Sequence, residues 1–361
     1  MTVALNFIAL PDTQAAGAYR YISNILKMLQ FYAIPDTEFV IYKQKQIPDG
    51  FFEMPSNLNV QYVDVPTLGR GLKRILFEQT LFYKYLRPCD VFYSYCTSMP
   101  LFVRARKVFT LHDIYSYSSD KRHGFLQRLY LRLITRAYVR AADQIITVSQ
   151  FSLSEIQHYL YVPDDRISIT YNFLMPDQTH SESQLPEKYE KPYFLFVGSL
   201  LPHKNIKGMV DGFIAFNKDR QYDLRIVGQC TDDALLDDLQ SKQDVLYLGF
   251  QQDEVLNGLY RNCAGVVLLS FCEGFGIPPM EGFRYSKPAL VANTASLPEV
   301  VGEAGIKVDP YDIEAISRGF QLLLDNSPEL VKHIPQQLKK FDPYASCEKF
   351  MDVLGIKYQR K

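Results

Sequence analysis

The sequence of 361 residues has few cysteines, and their spacing excludes the two structures that cysteines most often build. The six cysteines form no CxxC pair and have no pair of histidines nearby. This pattern argues against a disulfide framework and against a zinc site. We expect the thiols to be reduced and mostly buried.

Long apolar runs are also missing. No stretch of about 18 uncharged apolar residues occurs, so no membrane-spanning helix is expected. The opening MTVALNFIAL leads straight into polar PDTQ and lacks the basic start of a signal peptide, which predicts a cytoplasmic protein. The formal net charge of -1 gives no indication of a nucleic-acid partner, and none is expected.

The length and the hydrophobic pattern predict two α/β domains. A chain of 361 residues exceeds what one hydrophobic core usually supports. In the first half, nearly continuous apolar runs alternate with helix-length segments, as in a parallel sheet buried on both faces. Strands are predicted at residues 3–10, 38–42, 58–65, 89–95, 107–111 and 144–148, and helices at 19–32, 72–85 and 125–142.

The same pattern restarts after a polar, Pro-rich and Ser-rich stretch that reads as a linker. Strands are predicted at residues 193–197, 223–227, 245–247, 265–269, 289–292 and 306–308, and helices at 205–217 and 253–261. The predicted organisation is a Rossmann-like domain at 1–174, a linker at 175–191, a second Rossmann-like domain at 192–340 and a C-terminal helix at 341–361. Two such domains would face each other across a cleft.

The loop after strand 193–197 is the first candidate for ligand binding. It reads GSLLPHKN and places Ser199, Lys204 and Asn205 before a helix. Ligands of open α/β sheets bind at the carboxyl ends of the strands. A lysine beside a helix N-terminus suits a diphosphate, because its charge adds to that of the helix end. The alternative is an ordinary surface lysine near a turn.

A stronger signal follows strand 265–269, in the segment SFCEGFGIPPMEGF. Gly274 and Gly276 allow backbone amides to approach a ligand closely, and a proline at its start would open a helix that carries Glu281. Glu273 would stay in the loop. Carboxylates beside exposed amides suit a sugar nucleotide, with acceptors for hydroxyl groups and donors for phosphate oxygens. The alternative is a capping glutamate with a turn.

The first half offers weaker candidates. Gly17 lies where a strand passes into a helix, but the sequence has no GxGxxG and no GxxxxGK[ST], which argues against a nicotinamide dehydrogenase and a P-loop ATPase. His112 and Asp113 end an apolar strand at the ligand edge, although a lone histidine is more often structural. Aromatic faces can stack on sugars, and Tyr115 or Tyr117 is the candidate to line an acceptor.

The segments GSLLPHKN, EGFGIPPME and SLPEVVGEAGIKVDP, with LHD and ITVSQFS upstream, resemble the retaining glycosyltransferases of family 4, in particular the mannosyltransferase-like group. That family has the two-domain GT-B fold. The resemblance covers nearly the whole chain and is densest from Phe194 to Asp309. Ala16 departs from the family pattern by replacing the first glycine of an N-terminal Gly-Gly loop, and Ser286 replaces a common glycine.

The resemblance implies roles for single residues. It implies that Glu273 contacts the transferred sugar, Glu281 the nucleotide ribose and Lys204 the donor diphosphate. The amides around Phe275, Gly276 and Ile277 would meet sugar and phosphate, His112 would lie near the sugar, and Gly17 matches the second glycine of the Gly-Gly loop. Ser199 and His203 stand where many relatives have arginine, which leaves Lys204 with less cationic help.

The resemblance also implies retention by front-side attack. Metal-dependent transferases use an Asp-x-Asp ligand, which the sequence lacks, so no metal and no cofactor is expected. The donor would be a nucleotide diphosphate sugar, with GDP-mannose favoured over UDP- or dTDP-sugars. The acceptor would be a saccharide, plausibly lipid-linked, as in bacterial polysaccharide synthesis. The alternatives are a sugar-nucleotide epimerase and a nucleotide-sugar-binding subunit without activity.

The predicted helix at 125–142 carries a basic ridge. Its arginines recur every four residues and share one face, at Arg128, Arg132, Arg136 and Arg140. A second face, predicted to pack inward, carries Leu126, Leu129, Leu133 and Ala137. A basic ridge beside an apolar face is typical of contact with the inner membrane surface, and the alternative is a solvated helix face.

Overall fold

A computed structural model describes residues 1–10, 17–69, 71–95, 98–114, 125–176 and 191–361, with the backbone alone at 17, 18 and 125–127. Within this part of the chain there are two compact units. Unit 1 combines Met1–Met175 with Pro343–Lys361, and unit 2 is Pro176–Asp342. The predicted linker at 175–191 lies almost entirely outside the described residues.

Unit 1 contains a sheet of seven parallel strands in the order β4-β3-β1-β5-β6-β7-β8. Without the short strand β2, the order counted along the chain is 3-2-1-4-5-6-7, which is the doubly wound Rossmann arrangement. The strands are β1 (Thr2–Asn6), β2 (Tyr32–Ala33), β3 (Glu38–Gln44), β4 (Asn59–Val65), β5 (Val91–Tyr95), β6 (Arg106–Thr110), β7 (Gln144–Thr147) and β8 (Ile167–Ile169). The hydrophobic pattern predicted all of these except β2 and the three-residue β8.

In the part of unit 1 that precedes unit 2, the described helices are α1 (Gly17–Met28), α2 (Leu72–Gln79), α3 (Phe125–Ala141) and α4 (Gln150–Leu160). Ser149 caps α4, because its side chain accepts a hydrogen bond from the Ser152 amide.

Unit 2 repeats the arrangement with six parallel strands in the order β11-β10-β9-β12-β13-β14. The strands are β9 (Tyr193–Val197), β10 (Asp223–Val227), β11 (Val245–Gly249), β12 (Gly265–Leu268), β13 (Ala289–Ala292) and β14 (Gly305–Val308). The helices are α5 (Ile206–Phe216), α6 (Asp233–Ser241), α7 (Asp253–Asn262), α8 (Ile277–Arg284), α9 (Leu297–Val301), α10 (Ile313–Asp325) and α11 (Ser327–Lys340). The prediction of two Rossmann-like α/β domains is therefore confirmed.

The core of unit 2 depends on a close approach of two helices. Phe320 of α10 packs on the sheet against Phe194 of β9. Both are fully buried, with ring centroids 4.8 Å apart. A Cβ atom at Gly212 in α5 would lie 2.2 Å from Cγ2 of Ile316 in α10. Only glycine allows these helices to pack at this distance.

The C-terminal segment belongs to unit 1, a point that the sequence left open. Helix α12 (Pro343–Leu354) contacts α1, and the Phe350 ring packs edge-on against Tyr93 at 5.2 Å. Strand β15 (Gln359–Arg360) then pairs antiparallel with β2. The buried Tyr32 holds this segment, because its hydroxyl donates to the Glu348 carboxylate at 3.1 Å.

Helix α3 is rotated relative to the prediction. Leu129 is 45% exposed and Leu133 57% exposed, so the prediction that these leucines pack inward is wrong. The inward face carries Tyr138 and Val139 instead, and the Tyr138 ring packs against Phe109 of β6 at 5.9 Å. Tyr138, Val139 and Ala142 belong to the same buried cluster as Phe109. The Leu126 side chain lies outside the described residues.

Candidate functional site

The strand orders place one ligand-binding position in each unit. Ligands of doubly wound sheets bind at the carboxyl ends of the strands, where the strand order reverses. In unit 2 this switch point lies between β9 and β12, and in unit 1 between β1 and β5. The loops after β9 and β12 carry Lys204 and Glu273. Helix α1 begins at Gly17 after the β1 loop, and His112 follows β6.

Glycines shape the carboxyl edge of the unit 2 sheet, where the resemblance places the donor and which we call the donor edge. Gly198 and Gly228 follow β9 and β10 with φ angles of 153° and 144°. A Cβ atom at Gly228 would lie 1.9 Å from the Gly198 carbonyl oxygen. The two loops therefore run in backbone contact, which only glycine at position 228 allows.

The loop after β9 is fixed in the shape that presents Lys204. Residues Pro202–Lys204 form a 3-10 turn, and Asn205 leaves it in the left-handed conformation at φ 53°. The Asn205 side-chain amide donates to the Pro310 carbonyl at 2.8 Å. Asn205 therefore anchors the loop to the segment of Pro310.

Lys204 and Glu273 meet across the switch point. The Lys204 Nζ lies 2.5 Å from the Glu273 Oε1, and the two side chains are 16% and 13% exposed. The Ser270 hydroxyl donates to the same carboxylate oxygen at 2.6 Å. Two loops that are distant in sequence are thus joined by a charged pair which remains reachable by a ligand.

Ser296 holds the loop after β12 by hydrogen bonds to its backbone. Its hydroxyl donates to the carbonyl oxygens of Glu273 at 2.9 Å and Phe275 at 2.7 Å. Gly276 has a φ of 109°, and a Cβ atom there would lie 2.6 Å from Leu297. The path of this loop therefore requires glycine at position 276.

Helix α8 presents its N-terminus at this loop. The first amides of a helix have no carbonyl acceptor within the helix. Here Pro278 and Pro279 have no N–H, so the amides left at the helix start are those of Gly276 and Ile277. These are two of the three positions that the resemblance predicts to face sugar and phosphate. The helix dipole makes them suitable for an anion.

Glu281 lies on α8, at the fifth residue of the helix. The hydroxyl of Tyr260 in α7 donates to the Glu281 Oε2 at 2.5 Å, and Tyr260 is buried. Tyr260 in turn lies nearly parallel to Tyr285. A buried phenol thus fixes the carboxylate that is predicted to bind ribose.

In unit 1, His112 follows the carboxyl end of β6 and lies against Tyr21 and Tyr95. Part of the residue remains exposed, but burial around the ring lowers the pKa of His112 to about 4. The imidazole is therefore neutral at pH 7, which suits a hydrogen-bonding role rather than an ionic one.

The remaining predicted residues are scattered. Ser199 is exposed and Gly274 half-buried in the loops at the donor edge. On α3, Arg132, Arg136 and Arg140 are exposed and Arg128 is half-buried. Tyr115 lies outside the described residues. Within those residues, no three His, Cys, Asp or Glu side chains are placed to hold a metal ion.

Two family models match adjoining parts of the chain. The model described as Glycosyltransferase Family 4 matches residues 47–178, and that described as Glycosyl transferases group 1 matches residues 177–341. The chain belongs to glycosyltransferase family 4. The match of the second model begins where unit 2 begins and spans its whole donor edge.

Curated proteins similar to this chain include O-antigen chain mannosyltransferases. It is 35% identical over 237 residues to the O-antigen chain mannosyltransferase B of Escherichia coli, covering 62% of each chain. It is 29% identical over 243 residues to the O-antigen chain mannosyltransferase RfbU of Salmonella typhimurium, covering 66% of this chain and 64% of RfbU. The chain thus spans less than two thirds of the length of either relative.

Solved structures confirm the fold. WaaG, a glycosyltransferase involved in lipopolysaccharide biosynthesis, matches with a TM-score of 0.73 at 18% identity, covering 98% of this chain and 99% of WaaG. Anabaena HepE, in complex with UDP and glucose, matches with a TM-score of 0.71 at 16% identity and the same coverage. The predicted GT-B fold is confirmed by these neighbours.

Several residues of the site were missed in the sequence. Ser296 supports the loop of Glu273 from 23 positions away, and Tyr260 reaches Glu281 from another helix. Ser296 opens the segment SLPEVVGEAGIKVDP, which carries the resemblance but was given no site role, and Tyr260 lies in a segment whose pattern points to no ligand. Ser270 was not predicted either, although its place gives a signal. It directly follows a predicted strand and stands three residues before Glu273.

Proposed function

We propose that the protein transfers a hexose, with mannose favoured, from a nucleotide diphosphate sugar to a saccharide acceptor carried on a lipid, with retention of configuration. The observation that carries the proposal is the Lys204–Glu273 pair at the switch point of unit 2, beside the N-terminus of α8. Membership of glycosyltransferase family 4 supports the reaction class. The O-antigen mannosyltransferases among the relatives support mannose and a role in polysaccharide synthesis.

The proposed reaction exchanges one C–O bond for another. The bond between the sugar C1 and the β-phosphate oxygen breaks, and its electron pair leaves with the nucleotide diphosphate. The acceptor hydroxyl oxygen attacks C1 from the same face and passes its proton to a departing phosphate oxygen. In this scheme Glu273 binds sugar hydroxyl groups and does not attack C1.

Charge on the leaving diphosphate is stabilised by the protein in this proposal. Lys204 supplies a full positive charge, and the Gly276 and Ile277 amides supply fixed dipoles. Each such donor at developing charge is worth about 3 kcal/mol of barrier. We propose on this basis that transfer is metal-independent. Glu281 would accept hydrogen bonds from the ribose.

A panel of nucleotides and sugars tests the donor assignment. GDP, UDP and dTDP, each alone and with its hexose, are compared by thermal shift. A ligand at a hundred times its Kd stabilises the protein by about 2.7 kcal/mol. GDP-mannose is expected to give the largest shift. Glu281→Ala should abolish that shift, while Glu314→Ala, at a surface carboxylate that is 89% exposed, should keep it.

Product analysis then tests the reaction. Incubation with GDP-mannose and a lipid-linked saccharide should give an α-mannoside and free GDP, with EDTA present throughout. Release of free nucleotide without an acceptor-dependent glycoside would support an epimerase instead. Binding without turnover would support a subunit that lacks activity.

We further propose that one side of α3 in unit 1 contacts the cytoplasmic face of an anionic membrane. Leu129 and Leu133 are exposed on the side that also carries Arg132, Arg136 and Arg140. The helix has no acidic residue. Exposed leucines enter the acyl boundary of a bilayer, and each basic residue near an anionic surface adds about 1 kcal/mol. In the described part of the chain, no helix is long and apolar enough to cross a membrane.

Vesicle co-sedimentation tests this surface. Vesicles of phosphatidylethanolamine with phosphatidylglycerol are compared with vesicles of phosphatidylcholine. Arg132→Gln with Arg136→Gln should lower binding to the anionic vesicles about thirtyfold, since about 2 kcal/mol is lost. Leu129→Ser with Leu133→Ser should also lower it. Arg318→Gln with Leu322→Ser changes an exposed arginine and leucine of unit 2 and should change nothing. Equal binding to both vesicle types would contradict the proposal.

A further inference from the structure

The histidine of unit 1 is tied to a tyrosine on the neighbouring strand. Tyr95 is the last residue of β5 and pairs in register with Thr110, the last residue of β6. His112 follows two positions later, and its Nε2 lies 2.6 Å from the Tyr95 hydroxyl. The parallel register therefore brings together two side chains that lie 17 positions apart in the sequence.

Two tyrosine rings fix the plane of the imidazole. The Tyr21 and Tyr95 rings are nearly parallel, with centroids 6.0 Å apart. The His112 ring lies edge-on to both, at 5.2 Å and 85° from Tyr21 and at 5.3 Å and 89° from Tyr95. Both tyrosines are buried, and the Tyr21 hydroxyl is engaged with Thr170. The Tyr95 hydroxyl alone of these two reaches the imidazole nitrogen.

We propose that Tyr95 is a positioning residue for His112. The Tyr95 hydroxyl donates to the His112 Nε2 and thereby keeps the imidazole proton on Nδ1. Nδ1–H is then held ready to donate to an oxygen of a sugar bound at this edge of the unit 1 sheet. This inference rests on the proposed function, because a fixed donor has a use there only if a sugar binds.

The direction of the hydrogen bond follows from acidity. A neutral imidazole has one N–H and one acceptor nitrogen, and the hydrogen bond at one nitrogen decides where the proton stays. A phenol with a pKa near 10 gives up its hydrogen to an acceptor more readily than a neutral imidazole N–H does. The lowered pKa of His112 supports the neutral form that this arrangement requires.

Such positioning acts on the rate more than on binding. A ring that rotates or exchanges tautomers offers the donor for only part of the time, whereas a fixed ring offers it always. Loss of the Tyr95 hydroxyl should therefore lower kcat about tenfold, while the donor KM stays within about twofold.

The experiment compares Tyr95→Phe with Tyr93→Phe. Tyr93 is a buried tyrosine on the same strand, and its hydroxyl is hydrogen-bonded with the Thr110 hydroxyl at 2.7 Å. The protein has six histidines, so histidine is labelled with 15N and the His112 signals are assigned by their loss in His112→Gln. The chemical shifts of the two ring nitrogens then report the tautomer in each variant, without any substrate.

The wild type and Tyr93→Phe should show the proton on Nδ1 and equal kcat. Tyr95→Phe should show a mixture of tautomers or the proton on Nε2, with kcat reduced. The proposal is overturned if Tyr95→Phe keeps the wild-type tautomer, or if the tautomer changes and kcat does not. It is also overturned if Tyr93→Phe lowers kcat equally. Absence of any transfer by the wild type would refute the proposed function instead, while the tautomer measurement still stands.

Discussion

The Lys204 ammonium and the Glu273 carboxylate lie 2.5 Å apart, although 69 positions separate them in the chain. The pair joins the loops after β9 and β12, the two strands that flank the switch point of unit 2. A diphosphate that enters this position meets a cation already oriented by a partner. Donor binding must therefore share or replace the Glu273 contact.

Lys204→Met should lower kcat/KM by 10² to 10³, because one charged stabiliser of the leaving group costs about 3 kcal/mol. Steady-state kinetics at varied donor concentrations measure kcat/KM. Lys207→Met changes an exposed lysine of α5 close in sequence and is the matched control. Equal activity of Lys204→Met and wild type would exclude a diphosphate role for Lys204.

Tyr260→Phe should raise the donor KM about tenfold, or about 1.4 kcal/mol, with little change in kcat. The reason is that Glu281 loses the phenol that fixes its carboxylate. Tyr193→Phe is the control, since its buried hydroxyl donates to the Leu259 carbonyl. A loss of kcat at unchanged KM would argue that Tyr260 acts on the reacting centre.

Ser286→Gly should stabilise unit 2. Ser286 follows α8 in the left-handed region at φ 56°, and its side chain is exposed. This is the helix C-terminal position that glycine normally occupies, which explains the glycine common in the family. Relief of the strain should add about 0.5 to 1 kcal/mol and raise the Tm by about 1 to 4 °C. Calorimetry measures the change. Ser286→Val should lower the Tm, and a lower Tm for the glycine variant would contradict the interpretation.

The wild type should lose stability relative to His112→Gln as the pH falls from 6.5 to 4. Burial lowers the folded pKa of His112 to about 4, so in this range the unfolded chain binds a proton that the folded protein does not. The difference amounts to about 3 kcal/mol at most, is absent above pH 7 and stops growing below pH 4. Urea unfolding at several pH values measures it, and parallel curves for both proteins would contradict the shift.

The local hydrophobic pattern predicted much of the fold. The bounds of β9, β10 and β13 agree with the prediction at every residue, because buried parallel strands are short, mostly apolar runs between turn residues. The pattern missed the strands β2, β8 and β15 and the short helix α9. Elements of two to five residues carry too little periodicity to distinguish a helix from a strand.

The candidate residues of unit 2 were also found in the sequence, since Lys204, Glu273 and Glu281 stand in Gly-rich and Pro-rich segments directly after strands. The rotation of α3 was not found. Leucines at helical spacing resemble a core face, and only the packing of Tyr138 against Phe109 shows that another face points inward. Leu129 and Leu133 therefore lie on the exposed side of α3, together with its exposed arginines.

The sequence by itself determined the two sheets, the strand ends and the residues at those ends, because hydrophobic periodicity and turn chemistry act between near neighbours in the chain. Only the tertiary structure decided that Lys204 meets Glu273, that Tyr260 holds Glu281 and that Tyr95 reaches His112. Each pair joins two separate elements. Whether their side chains meet depends on strand order, register and helix rotation, which no local pattern encodes.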